Sequence, residues 1–142
     1  MQALPDPRFD RNADAYFAHI AARDLEAWMA LFAKAAVLHD PIDSLPATTS
    51  AEIRESWKAL TAPFESLVFT LDLRIFGESG AAVKWTGEAT GINGSQATFE
   101  GITLFEFDDS GAIEAVVGYW DPAAVLIELA GESDQDTEVP DD

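Results

Sequence analysis

The sequence predicts an α+β domain with helices first and a sheet after them, and three observations carry that expectation. As far as Leu60 the chain holds three segments whose apolar residues recur at helical spacing. From Ser66 onward it holds "SLVFTLDLRIF", "AAVKWTGEATG", "ATFEGITLFEF" and "AIEAVVGYW", all rich in β-branched and aromatic residues. The connections "GESG", "INGSQ" and "DDSG" have turn compositions. Helices and strands are therefore segregated rather than alternating, which is the pattern of an α+β fold.

Taken in order, Ala13, Tyr16, Phe17 and Ile20 mark the first helix, roughly Arg8 to Ala22. Asp24 is an N-cap for a second helix whose apolar face is Leu25, Trp28, Met29 and Phe32. Ala36 to His39 is a short apolar run read as a strand, closed by Asp40-Pro41. Thr49 and Glu52 have capping-box spacing ahead of a third helix with Ile53, Trp57 and Leu60 on one face. Asn93-Gly94 is the strongest hairpin signal among the turns, and "DPAAVLIELA" closes as a short helix. A sheet of such long strands is expected to curl round the helices into a cone with a pocket at its open end.

At 142 residues the chain is one domain with a single core, and its 48% hydrophobic content, with nine Phe and four Trp, marks it as globular. The tail "GESDQDTEVPDD" carries six acids and no base, so residues 1–130 are read as the domain and residues 131–142 as an acidic disordered tail. The net charge of −18, with only eight Lys and Arg, excludes a nucleic-acid partner. No apolar run is long enough to cross a membrane. The opening "MQALPDPRFDRN" lacks the basic and apolar regions of an export signal, so a cytoplasmic location is expected. Without cysteine there is no thiolate site and no disulfide.

Asp40 is the first candidate for chemistry. An Asp-Pro after a strand is common turn chemistry, its carboxylate bonding nearby backbone amides. Between Leu38, Ile42 and aromatic helices it would instead be partly desolvated, with a raised pKa. Tyr16 lies on the apolar face of the first helix, where a buried phenol needs a partner. His19 and His39 have no third ligand at a useful spacing and are read as structural, with no metal site. Strand alternation puts Val83, Trp85, Gly87 and Ala89 in one interior row, Phe99, Gly101, Thr103 and Phe105 in another, and Val116, Gly118 and Trp120 in a third. A small residue at the middle of each row predicts a hollow walled by aromatics. The competing reading is that Trp28, Trp57 or Phe32 fills it. Ile102, Leu104 and Val117 would then face outward, and an apolar outer face predicts a homodimer through the sheets.

The order of elements, together with "YFAHIAARDLEAW", "VLHDPIDSLP", "FEFDDSGAI" and "VVGYWDP", resembles the NTF2-like (SnoaL-like) superfamily, and within it ketosteroid isomerase. The resemblance covers nearly the whole chain except the acidic tail. It implies a cone-shaped curved antiparallel sheet wrapped around three N-terminal helices. By position it makes Asp40 the base that moves a proton next to a carbonyl, and Tyr16 the phenol that hydrogen-bonds the substrate oxygen as charge develops. Where the family has a protonated Asp as second donor, this chain has Thr103, whose hydroxyl can still donate. Phe32 and Trp57 stand where the family has two further phenols. Trp120, Phe99, Phe32, Trp57 and Trp85 are then the apolar walls of a site for a small hydrophobic molecule, steroid- or polyketide-like.

No nucleotide or metal motif is present, and the resemblance implies chemistry without a cofactor. A SnoaL-like cyclase or a dehydratase would use the same carboxylate differently. A non-catalytic ligand-binding or dimerising module is the reading outside the enzyme class, since one fold hosts many functions. Water activation of the limonene-epoxide-hydrolase kind would need a second acid beside Arg74, the only strand arginine, and none is clearly placed there.

Overall fold

The computed structural model of the chain describes residues 6–138, with side chains through residue 130. Helix α1 (Pro7–Ala22) begins at Asp6, whose carboxylate accepts the Arg8 amide at 2.9 Å, and ends at Arg23 in a left-handed conformation (φ 61°). Asp24 caps the short α2 (Leu25–Met29) by accepting from the Ala27 amide. Strand β1 (Phe32–His39) follows, then α3 (Ser50–Thr61). Thr49 caps α3 through the Glu52 amide, while the Glu52 carboxylate reaches back to the Thr48 amide, one residue beyond the usual partner in a capping box.

Strands β2 (Phe64–Phe76), β3 (Gly80–Gly91), β4 (Gln96–Phe107) and β5 (Ile113–Tyr119) complete a sheet of order β1-β5-β4-β3-β2. The fold is α+β, as expected, with two corrections. The second helix stops at Met29 and Phe32 belongs to β1: the Leu31 carbonyl accepts the Ile113 amide at 2.9 Å, so the chain is already held by the sheet before Phe32. The sheet is also not wholly antiparallel. β1 runs parallel to β5, its ends joined through α3 and the whole β2–β4 meander, a connection long enough for a parallel pair.

α4 (Pro122–Glu138) continues as a helix past Gly131, where the sequence reading starts the acidic tail; residues 139–142 lie outside the described residues. No helix among the described residues is long and apolar enough to cross a membrane.

The concave face of the sheet packs on α1. Buried Tyr16, Phe17 and Ile20 meet the inner rows of β3 and β4, with Tyr16 and Phe105 edge to face at 5.1 Å between centroids. Arg23 ties the far end of α1 to the α3–β2 corner by donating to the carbonyls of Thr61 and Phe64. Arg74 on β2 bridges Asp10 (2.5 Å) and Asp14 (3.0 Å) of the same helix. The mouth of the cone lies between the 40–47 loop, α3 and the start of α4.

Candidate functional site

Asp40 leaves the sheet where β1 ends, and three contacts fix the loop behind it. Leu38 and Ala47 exchange two backbone hydrogen bonds (2.9 and 2.8 Å), and the Ile42 amide donates to the Gly118 carbonyl at 2.7 Å. The Ser44 hydroxyl closes the turn on the Pro41 carbonyl. Turn chemistry is thus satisfied by other groups. Among the described residues the Asp40 carboxylate accepts no backbone hydrogen bond; it points inward. Tyr16 donates to Oδ2 at 2.5 Å and the Trp120 indole donates to Oδ1 at 2.8 Å, so each carboxylate oxygen has one donor.

Gly118 makes this placement sterically feasible. A Cβ built there would lie 2.6 Å from the Asp40 Cγ, so the carboxylate occupies the space a side chain on β5 would take. The same device recurs deeper in the sheet. Trp85 stands directly across from Gly101 and Phe99 directly across from Gly87. A Cβ at Gly101 would come within 2.9 Å of the Trp85 ring, and one at Gly87 within 2.8 Å of Phe99. The mid-strand small residues therefore do not enclose the hollow predicted from sequence. Each is covered by the ring or carboxylate beside it, and the aromatics that fill the space are Trp85 and Phe99 rather than Trp28, Trp57 or Phe32.

Two cavities adjoin Asp40. An inner one, lined by Tyr16, Phe17, Phe69, Trp85 and Phe99 among others, has about 10 Å³, room for roughly one water. An outer one at the mouth has about 200 Å³, between Pro41, Leu45, Ser56, Pro63, Phe64 and Leu126. Asp40, Leu60 and Trp120 line both, and so form the partition between them.

The electrostatics follow from this packing. Burial pushes the Asp40 carboxyl above the usual carboxylate range, while the Tyr16 and Trp120 hydrogen bonds pull it partly back. Burial first, and then the neighbouring Asp40 charge, holds the Tyr16 phenol well above its ordinary value. The proton of the short bond therefore belongs to the phenol, and Asp40 is the acceptor.

The other candidates are placed as follows. Thr103 is buried and its hydroxyl accepts the Trp85 indole N–H at 2.9 Å; it lines neither cavity. Trp85 and Phe99 wall the inner cavity and Trp120 walls both. Phe32 and Trp57 pack on Trp28, with centroids at 4.8 and 6.4 Å, and line neither. Among the described residues no group of three or more potential metal ligands comes together. Sequence reasoning missed the walls that α3, the turn after it and α4 give to the mouth: Ser56, Leu60, Pro63 and Leu126. The spacing of Ser56 and Leu60, one helical turn apart, was the available signal.

A family model described as "SnoaL-like domain" matches residues 13–116. No curated protein matches the sequence. Among solved structures, the Δ5-3-ketosteroid isomerase of Mycobacterium sp. is 24% identical, with a TM-score of 0.70 over 82% of this chain and 95% of that one. An epoxide hydrolase/cyclase-like enzyme of pyran ring formation in the polyether salinomycin is 18% identical, with a TM-score of 0.72 over 82% and 93%. A Mycobacterium tuberculosis protein in complex with estradiol-17beta-hemisuccinate is 17% identical, with a TM-score of 0.70 over 82% and 95%. At these identities the likeness is one of fold.

Proposed function

The chain belongs to the SnoaL-like domain family, and from that premise we propose that it moves a proton next to the carbonyl of a small hydrophobic substrate, with Asp40 as the base. One observation supports this above the others: a desolvated carboxylate, held by two neutral donors, faces a largely apolar cavity at the mouth of the cone. A carboxylate whose pKa is raised by burial is a stronger proton acceptor than an exposed one. The cavity is smaller than the roughly 300–1,000 Å³ of most ligand sites, so the proposed substrate is compact, of one or two rings. An isomerase and a cyclase-like enzyme share this fold.

Tyr16 takes a different role here from the oxyanion donor implied by the resemblance. Its hydroxyl proton is committed to Asp40, and its ring lines only the inner cavity. We propose that it aligns Asp40 and sets its basicity. Thr103 then serves the Trp85 wall and not the substrate.

The test is hydrogen–deuterium exchange at the α-carbon of 2-tetralone in D2O, followed by NMR against pH. Asp40 would take a proton from C1, leave the enolate, exchange with solvent and return a deuteron. Exchange should rise with pH along an acid limb set by Asp40. In Tyr16→Phe, which removes a donor stabilising the carboxylate, the limb should move to higher pH while the plateau falls less than about tenfold. A plateau loss of about 10²-fold or more would restore Tyr16 as the oxyanion donor. Binding of 2-tetralone without exchange would make the protein a ligand-binding module.

The outer face of the sheet supports a second proposal, that two copies pair through it. Ile102 is 45% and Leu104 40% exposed there, with Leu73 and Ile75 on the same face. Sedimentation equilibrium should give a dimer that Leu104→Lys converts to monomer; a monomeric wild type would remove this reading.

A further inference from the structure

A base that removes an α-proton leaves negative charge on the carbonyl oxygen, and that oxygen needs a donor facing the same space. The phenol implied by the resemblance is on the wrong side of the partition, with its proton already given to Asp40. The outer cavity has few other polar side chains. Of its two serines, Ser44 already donates its hydroxyl to the Pro41 carbonyl at 2.7 Å. Ser56 is half-buried on α3, and among the described residues its hydroxyl has no hydrogen-bond partner. A helical hydroxyl either turns back onto the carbonyl four residues earlier, as that of Thr61 does onto Trp57, or points away from its helix. Ser56 lacks that bond and lies in the wall of the mouth, among the apolar surfaces of Leu60, Pro63 and Phe64.

We propose that the Ser56 hydroxyl is the donor that holds the substrate oxygen, making the outer cavity a two-residue site with Asp40 as base and Ser56 as oxyanion donor. The inference rests on the reading of Asp40 given above. The two groups come from different elements, the loop after β1 and the middle of α3, and both line one cavity of about 200 Å³. A flat bicyclic ketone placed there would have its oxygen toward α3 and its acidic C–H toward Asp40. Proton balance is complete without a further reactant: the C–H bond breaks, its proton moves to the Asp40 carboxylate, the electron pair becomes the enolate, and Ser56 donates a hydrogen bond without losing its proton. The class of substrate that fits is a small apolar ketone with an activated α-position. The apolar lips Leu45 and Leu126 at the rim, 89% and 44% exposed, suit an apolar ligand arriving from solvent.

The experiment compares wild type, Ser56→Ala and Ser56→Thr on two probes, 2-tetralone and 2-naphthol, the second being the aromatic analogue of the enol of the first. Exchange of 2-tetralone should fall about 10²-fold in Ser56→Ala, the scale of one lost oxyanion donor, and return to within about fivefold of wild type in Ser56→Thr. By calorimetry, 2-tetralone should bind Ser56→Ala within about twofold of wild type, while 2-naphthol should lose about tenfold or more, since a donor that acts on developing charge favours the enol-like ligand. Exchange in Ser56→Ala equal to wild type, with Asp40→Asn inactive, would overturn the Ser56 inference and leave the Asp40 reading standing. Absence of exchange in wild type would overturn the Asp40 reading, and the naphthol arm would still decide the role of Ser56: equal binding to wild type and Ser56→Ala removes it.

Discussion

Asp40→Asn is expected to lower α-proton exchange by about 10²–10⁴-fold, the range for removing a positioned general base, while leaving the fold at least as stable at neutral pH. The two halves of this expectation have different causes. The amide has the shape of the carboxylate, so Trp120 can still donate to its oxygen, and the phenol oxygen of Tyr16 can accept from its nitrogen. What disappears is the basic lone pair. The stability argument follows from the direction of the pKa shift. Burial raises the Asp40 carboxyl above its unfolded value of 3.8, so between those two pKa values the folded state binds more protons than the unfolded state. Stability therefore declines as pH rises through that window, and above it the protein carries the full cost of a desolvated charge. The amide carries no such cost. Thermal melts at pH 4 and pH 7 should show wild type losing stability between the two, with a smaller change in Asp40→Asn. A variant that melts well below wild type at pH 7 would mean that the ionised form holds the loop in place, contrary to this account.

Gly118→Ala is expected to give the second-largest loss. The new methyl would lie 2.6 Å from the Asp40 Cγ, closer than any relaxed contact, and Gly118 is held between Thr103 of β4 and the loop amide of Ile42. Either Asp40 leaves its two donors or β5 shifts. Overpacking of this kind costs about 1–3 kcal/mol, and misplacing a reacting group by about 1 Å costs about 10²-fold in rate. The double variant Asp40→Ala/Gly118→Ala separates the two effects, because it removes the clash along with the carboxylate. It should melt above Gly118→Ala alone while remaining inactive in exchange. A double variant no more stable than the single one would show that the glycine is needed for backbone reasons unrelated to Asp40.

The elements were legible in the sequence because their signals are local. Capping residues Asp24 and Thr49, the Asn93-Gly94 turn and the alternation along Val83, Trp85, Gly87 and Ala89 each act within a few residues. Asp40 and Tyr16 also came together, although their direct bond was not foreseen, and it changes which of them can reach a ligand. What escaped was set by contacts across the chain. Glycines in three strands suggested empty space, but whether a glycine opens a hollow or receives a neighbouring ring depends on register, and the sequence does not state register. Phe32 and Trp57 are expected as walls because they stand where the resembled family has two pocket phenols; Trp28 lies against both and draws them to the core. The spacing of Ser56 and Leu60 could mark a wall, but that the Ser56 hydroxyl is unpartnered is visible only when its potential partners have been placed.

The paired arrangement of ring over glycine has a consequence for how such a protein can diverge. Shrinking Trp85 alone would leave a void above Gly101, and enlarging Gly101 alone would collide with the indole, so either step on its own is costly. The two positions are energetically coupled and should change together or not at all. A lineage seeking a roomier interior would then move by paired exchanges across β3 and β4, and the two partners of each exchange would be separated in the chain by the span of a hairpin.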